Sequence, residues 1–433
     1  MILIAGAGLA GLSTAFHLRD REYRIIEKAE RPGGLCRTEQ SGPYQFDYGG
    51  HLLHIRGDDV RGLVQDLLGA RLALHRRRSA IYSSGVITPY PFQVNTHGLP
   101  SAVVRDCLLG FVQALIHAEK KPGTPDNFFD WIHYTFGPGF AEHFFLPFNE
   151  KFFKTSLKNL TPDWASWSVP RPELRDVING ALGIREKEFG YNVEFYYPEG
   201  GIEDLVRALA SSLARPVQTS VELKEVMARE KRAILSTGEE VRYDRLLSTV
   251  PLDRLIALLA DAPAEIKELA KGLKVLSVLC VNLWINGPIL SDQHWLYVPE
   301  PGFIFHRIGF YSNFMRLPAG KNALYLEITL PGPVSEAMKE DVKYYSSRAT
   351  AEFRGLPPFR DAEHTIEVVE TMVLDHGYVL YNRPRKEHLP RIMAWLREQG
   401  IEPLGRYGRW EYSTMEDALR QGREAAEMMI KSS

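Results

Sequence analysis

The 433-residue chain has little cysteine, no surplus of either charge and no long apolar run. Its three cysteines, Cys36, Cys107 and Cys280, are too few and too scattered for a disulfide framework or a four-sulfur metal site. Free thiols in a reducing cytosol are expected. With 52 Lys+Arg against 54 Asp+Glu the formal net charge is -2, so no overall field draws in nucleic acid or anionic lipid, and an anion must be bound locally. The most apolar interior stretch, Cys107 to Ala118, is about a dozen residues, short of the roughly 20 that a spanning helix needs. Met1 to Leu18 is apolar but lacks the basic start of a signal peptide. These absences point to a cytoplasmic chain with a small-molecule partner and no membrane or nucleic-acid partner; the oligomeric state is left open. No Walker loop, Ser/His/Asp arrangement, paired-carboxylate motif or metal-ligand spacing stands out, which weakens hydrolase and metalloenzyme readings.

What is present starts at the N-terminus. Ile2 to Ile4 reads as a short buried strand, followed by Gly6-Ala7-Gly8-Leu9-Ala10-Gly11 and an apolar-periodic helix through Leu18. The first glycine permits the tight turn, the second lets backbone approach a pyrophosphate, and the third lets helix pack on strand. The helix start offers free N–H groups and a positive dipole end. Tyr23 to Glu27 then reads as a second strand ending in a carboxylate, about 20 residues past the first glycine, where it can accept from a ribose diol. The pattern predicts a dinucleotide site built on Gly6, Gly8, Gly11 and Glu27.

After Glu27 come Lys28, then Arg31-Pro32-Gly33-Gly34-Leu35-Cys36-Arg37-Thr38, and later Asp47-Tyr48-Gly49-Gly50-His51. This run resembles the FAD-binding extension shared by amine oxidases, protoporphyrinogen oxidases and UDP-galactopyranose mutases. The resemblance implies FAD as cofactor, with contacts from Lys28, Gly33, Gly34, Leu35, Arg37, Gly49, Gly50 and His51. Thr249 and Pro251, in Ser248-Thr249-Val250-Pro251, resemble a strand-end segment beside FAD, and Val221 falls near a valine whose backbone meets adenine. Gly405, Arg406 and Met415 match a C-terminal segment that closes over the flavin, with the following helix start facing its pyrimidine end.

FAD elements at both ends and in the middle imply an α/β fold: a discontinuous Rossmann-like FAD-binding domain (1–74, 199–253 and 403–433) with an inserted α+β substrate domain (75–198 and 254–402). Ala80 to Phe92 alternates as a hairpin, Ser101 caps a helix through Leu115, and Phe128 to Phe153 reads as helical and aromatic. Strands are expected at Val275–Trp284, Trp295–Val298, Phe303–Phe310 and Ala323–Leu330, and helices at Glu336–Phe353 and Lys386–Gln399.

Within the superfamily the chain resembles the UDP-galactopyranose mutases in its substrate half as well. Leu146-Pro147-Phe148-Asn149-Glu150-Lys151 is similar to their Pro-Tyr-Asn-x-Lys segment, and Phe305-His306-Arg307 to the strand carrying one of two arginines that clamp the substrate diphosphate. Tyr378 and Tyr381 resemble tyrosines near the phosphates or the flavin edge. The implied chemistry is redox-neutral: N5 of reduced flavin attacks the anomeric carbon of a UDP-sugar, UDP departs, and ring opening and reclosure exchange pyranose for furanose. The implied catalytic set is His51, Arg307, Tyr378 and Tyr381, with no metal. One departure keeps a second reading open. Ser168 stands where the second clamp arginine is expected, and losing a charge-assisted phosphate contact costs on the order of 1.5–3 kcal/mol. Either Arg171 or Arg175 substitutes, or the enzyme is an oxidoreductase that takes hydride from an unknown substrate. The aromatic cluster of Phe144, Phe145, Phe148, Phe152, Phe153, Trp164, Trp167, Phe195, Tyr196 and Tyr197 reads first as core, since large aromatics are commonly buried, and second as an apolar substrate pocket that favours the oxidoreductase.

Overall fold

The computed structural model describes all residues except 20, 42–43, 166–168, 185, 187–188, 190–192, 319, 361–362 and 432–433. The chain divides into two compact units. The first comprises Met1–His75, Phe195–Lys274 and Pro384–Ser433; the second comprises Arg76–Glu194 and Val275–Arg383. The stretches 254–274 and 384–402, expected in the insertion, fall in the first unit. Leu259 pairs with Val226, and Gly272 lies against Pro384 and His388, so both stretches are held by the nucleotide side.

The first unit is built on a four-stranded parallel sheet in the order Ile401–Pro403, Arg245–Ser248, Ile2–Ala5, Tyr23–Ile26. Its strands come from both chain ends and the middle, giving the discontinuous α/β arrangement. Short apolar strands buried on both faces are what a parallel sheet requires. The helix Leu9–Leu18 follows the first strand, and the helix Met415–Lys431 packs across it so closely that a Cβ on Gly422 would lie 2.5 Å from the Ala10 carbonyl oxygen. Ser13 Oγ donates to the Leu419 carbonyl at 2.6 Å and fixes that crossing. Leu223–Met227, Arg232–Leu235 and Glu240–Arg242 form the expected antiparallel meander.

The second unit carries a seven-stranded sheet in the order Thr365–Val379, Val275–Asn286, Lys321–Pro331, Arg307–Phe310, Trp295–Tyr297, Ser79–Ser83, Val86–Pro89. All neighbours are antiparallel except Trp295–Tyr297 with Ser79–Ser83. The 15-residue strand Thr365–Val379 is a finding that the sequence reading lacked. A helical layer accompanies the sheet: Ser101–Lys120, Phe128–Phe140, Leu146–Phe153 and Leu174–Leu182. Rings from Phe128, Trp131, Phe136, Phe140, Phe144 and Phe145 are buried here, so this part of the aromatic run is core.

The helix Ser101–Lys120 corrects two expectations. It extends five residues beyond Leu115, and Pro100, not Ser101, occupies the cap position, with no side-chain cap bond. At 20 residues it is long and apolar enough to cross a membrane, contrary to the dozen-residue estimate. Yet Val103, Cys107, Gly110, Phe111 and Ala114 are buried against the layer. Contact with Phe128–Phe140 is close: Gly137 has φ +77°, and a Cβ there would lie 1.9 Å from the Gly110 carbonyl oxygen, so only glycine fits.

Candidate functional site

The glycine motif folds as its spacing requires. Gly6 has φ +100° and donates its N–H to the Ile26 carbonyl at 2.8 Å. A Cβ on Gly11 would sit 2.0 Å from the Gly6 carbonyl oxygen, so the third glycine lets the helix seat on the turn. The helix Leu9–Leu18 begins at Gly8 with no side-chain cap and no acidic residue in its first turn. Its N-terminal N–H groups and positive dipole end are therefore left for an external anion.

A second glycine turn closes on the first. Gly33, at φ +128°, donates to the Ala7 carbonyl at 2.8 Å, and a Cβ on Gly34 would come within 3.4 Å of Gly8 Cα. Two bare backbone turns thus face each other with no side chain between them, a cradle matching a pyrophosphate. Glu27 accepts from Ala7 N at 2.8 Å and from Ala29 N at 3.0 Å, so two backbone donors hold its carboxylate in place while spare lone pairs remain for a diol. Val221 donates its N–H to the Glu27 carbonyl at 2.9 Å, which puts it beside the same strand end.

Thr249 stands over the first turn: its Oγ1 would be 2.1 Å from a Gly6 Cβ, and its N–H and hydroxyl both reach the Ala5 carbonyl. Pro251 caps the helix Leu252–Leu258. Gly405, at φ +72°, packs on Ala10 and donates to Gln421 Oε1 at 2.9 Å. The Arg406 guanidinium lies 4.5 Å from the Tyr412 ring centre and bonds the Ser413 carbonyl at 3.2 Å. Met415 starts the final helix, whose buried Glu416 accepts from Arg56 N and Gly57 N at 3.1 and 2.7 Å. Gly49, Gly50 and His51 form a tight turn after Asp47, with His51 N donating to the Gly49 carbonyl at 3.1 Å. Lys28 is exposed at the end of the second strand, and Arg37 bonds the Arg31 and Pro32 carbonyls of its own loop. Leu35 is half-buried beside buried Cys36, whose thiol burial pushes up to about 12, so Cys36 is inert.

Asp47 was not foreseen. It is fully enclosed and accepts from Thr38 Oγ1 and Tyr197 OH, both at 2.7 Å, and from Ile202 N at 3.4 Å. Burial, with Glu203 adding to it, pushes the carboxyl up to about 7 against these donors. The unfolded value is about 4, so Asp47 favours folding below that pH and the contribution is lost as pH rises through about 7. Unfolding free energy measured from pH 5 to 8 is expected to fall less steeply in Asp47→Asn than in the parent. Equal slopes would remove Asp47 as the source.

The second unit holds a separate cluster. Arg307 donates through Nε to Glu327 Oε2 at 2.8 Å and through Nη2 to the same oxygen, while Tyr378 OH donates to Glu327 Oε1 at 2.7 Å. His306 Nε2 lies 3.4 Å from Glu327 Oε1. Burial alone would push the Glu327 carboxyl up, but Arg307 and His306 hold it well below the usual carboxylate range. Burial pushes the His306 imidazole below its ordinary value, with the contact to Glu327 working against it. Rings frame this group: Phe152 lies 4.6 Å from Tyr378, Phe148 lies 5.3 Å from Tyr297, and Tyr297 lies 5.4 Å from Tyr90. Unlike the core rings, these five are only half-buried. Lys151 points its Nζ at the Val298, Glu300 and Phe305 carbonyls, three acceptors for three ammonium protons.

Arg307 and Tyr378 are thus brought together. Tyr381 is placed by its carbonyl, which accepts from Thr161 N at 2.6 Å. Arg171 lies over the Trp131 ring at 5.1 Å, and Ser168 is outside the described residues. Sequence reasoning missed Glu327, although a lone carboxylate inside Leu324-Tyr325-Leu326-Glu327-Ile328-Thr329-Leu330 was a signal that something must compensate it. Among the described residues no group of His, Cys, Asp and Glu side chains suits a metal.

Residues 9–430 match the family of flavin containing amine oxidoreductases. A solved reduced UDP-galactopyranose mutase is similar over 100% of this chain and 94% of its own, with 25% identity and a TM-score of 0.91. A putative protoporphyrinogen oxidase from Exiguobacterium sp. 255-15 shares the fold at 16% identity and a TM-score of 0.75, covering 100% and 99%. Coproporphyrinogen III oxidase of Mycobacterium tuberculosis is 32% identical over 106 residues, 23% of each chain, so the chain matches about a quarter of that relative's length. The match across nearly the whole chain means that the chain belongs to the flavin containing amine oxidoreductase family and is an FAD-dependent enzyme.

Proposed function

We propose that this enzyme interconverts the pyranose and furanose forms of a nucleotide sugar, in the manner of the UDP-galactopyranose mutase it resembles. The observation that supports this reading most is Arg307 set among half-buried aromatic rings in the second unit. Aromatic faces stack on a nucleobase, and a guanidinium takes phosphate oxygens. In this reading Gly6, Gly8, Gly11, Gly33, Gly34 and Thr249 hold the FAD pyrophosphate side, Glu27 takes the ribose diol, and Val221 borders the adenine. Arg406 and the start of the Met415 helix face the flavin ring, with His51 against it. When bound and reduced, the flavin supplies a nucleophilic nitrogen. Arg307 binds and orients the leaving diphosphate, and Tyr378 and Tyr381 hydrogen-bond along it. Glu327 keeps Arg307 in one orientation.

A second reading rests on the same pair. Because Glu327 already compensates Arg307, and residue 168 is serine, the positive charge available for a diphosphate is small. That favours an oxidoreductase acting on a less charged, oxidisable substrate. Anaerobic titration of the dithionite-reduced enzyme with UDP-galactose separates the two. Ring-altered product formed only by reduced enzyme, with no net flavin oxidation, is the mutase outcome. No spectral response to UDP or UDP-sugars in either redox state rejects it. Arg307→Ala is expected to weaken UDP binding more than tenfold, as loss of a charge-assisted contact of about 1.5–3 kcal/mol requires, with flavin content unchanged. Unaltered UDP affinity takes Arg307 out of the site.

A further inference from the structure

Arg307 shares its face of the seven-stranded sheet with a second arginine. Tyr297 lies directly opposite Arg307, and Ile81 lies directly opposite Tyr297 on the next strand. Ile81 is buried in the aromatic core of the helical layer, which marks the face. Residues two apart on an extended chain point the same way, so Ser79 and then Arg77 follow Ile81 onto it. The pairing continues beyond the strand end, where the Arg78 carbonyl accepts from His294 N at 2.7 Å. Contacts agree with this direction: the Arg77 guanidinium lies over the Tyr90 ring, 5.4 Å from its centre, and Tyr90 lies 5.4 Å from Tyr297. Two strand spacings of about 4.8 Å and four residues of about 3.3 Å each place the Arg77 and Arg307 Cα atoms roughly 16 Å apart.

The two cations differ in what neutralises them. Glu327 compensates Arg307, whereas Arg77 is half-buried, gives Nη2 to the Phe189 carbonyl at 3.0 Å, and among the described residues pairs with no carboxylate. Between them lie the half-buried Tyr90 and Tyr297 rings, with Phe148 edge-on to Tyr297. A ligand spanning this face meets a cation at each end and flat apolar surface between. We infer that Arg77 selects the nucleobase of the nucleotide sugar, an assignment that rests on the function proposed above. With the diphosphate on Arg307, the base lies along the Tyr297 and Tyr90 rings, and the part of a pyrimidine farthest from its ribose is the substituent on C4. Uracil carries an oxygen there and cytosine an amino group. A guanidinium has donors only, so Arg77 pairs with the uracil oxygen and meets the cytosine amino group donor to donor. That clash leaves both groups unpaired in a half-buried site, and a polar site rejects a ligand lacking its partner atom more strongly than an apolar pocket rejects a change of size.

UDP and CDP match in size and charge, so their relative affinity for the flavin-loaded enzyme, measured by isothermal titration calorimetry, reads the base contact alone. The parent is expected to bind UDP at least tenfold more tightly than CDP. Arg77→Met should weaken UDP by about tenfold without weakening CDP, which closes the gap while flavin content stays at the parent level. Arg77→Gln can donate or accept, so it should bind the two nucleotides within about threefold of each other, and it carries the test if the methionine variant does not fold. Loss of packing on Tyr90 alone would weaken UDP and CDP together and keep their ratio. Equal affinity of the parent for UDP and CDP, or an undiminished preference in the variants, overturns the assignment and leaves the mutase reading standing. A parent that binds neither nucleotide removes the mutase reading, and the assignment falls with it.

Discussion

Glu327→Gln is expected to cost about 3–5 kcal/mol of stability, because removing one partner of a buried pair strands the other charge. Glu327 is 2% exposed and serves Arg307, Tyr378 and His306 together, so no water can replace it readily. Urea denaturation of the flavin-loaded protein reads the loss. The double variant Glu327→Met with Arg307→Met should be less destabilised than Glu327→Gln alone, since it leaves no unpaired charge. Additive losses would mean that the two groups are not coupled. The pH dependence follows from the same contacts. A carboxyl held below its unfolded value of about 4.3 adds stability above that pH and loses it as pH falls through its folded value. The parent should therefore lose stability in acid, and Glu327→Gln should lack that part of the loss.

The legible parts of the molecule are those where backbone geometry alone decides. Gly6, Gly11, Gly33 and Gly34 each occupy a place where positive φ or a 2–3.4 Å approach excludes a side chain. Such constraints leave glycine at fixed spacings, and the flanking strand and helix follow from hydrophobic period. That the nucleotide unit draws segments from both ends and the middle of the chain was likewise readable, because the glycine motif, Ser248-Thr249 and Gly405-Arg406 each mark one segment, whereas the short strand Ile401–Pro403 carries no such marker and was not foreseen. What escaped depends on partners distant in sequence. Glu327 is 20 residues from Arg307 and 51 from Tyr378, and no local pattern links them. The strand Thr365–Val379 is polar enough along its length to hide, since it lies at the sheet edge and pairs only with Val275–Asn286 among the named strands. The helix at Ser101 runs past Leu115 through His117, Glu119 and Lys120, where little apolar period marks it.

Glu27→Ala is expected to strip the enzyme of flavin. The carboxylate does two things at once: it accepts from Ala7 N and Ala29 N, and it offers its remaining lone pairs at the end of Tyr23–Ile26. Alanine therefore deletes a charge-assisted contact to the ribose, about 1.5–3 kcal/mol, and also strands the Ala7 N–H beside the glycine turn. Together these predict at least a hundredfold weaker FAD binding, seen as loss of the 450 nm absorbance on dialysis. Glu27→Gln keeps an acceptor oxygen for one backbone donor but not the charge, and should fall between parent and alanine. A purely structural role would lower the melting temperature of flavin-free protein in both variants while leaving the affinity of refolded protein for added FAD unchanged. Because the Ala29 N–H lies beyond the strand end and the Ala7 N–H lies inside the first turn, only the second loss should move the Gly6–Gly11 backbone. Amide exchange at Ala7 and Gly8 is thus expected to accelerate in Glu27→Ala while exchange in the Tyr23–Ile26 strand holds, which ties the cofactor loss to the turn that carries the phosphates.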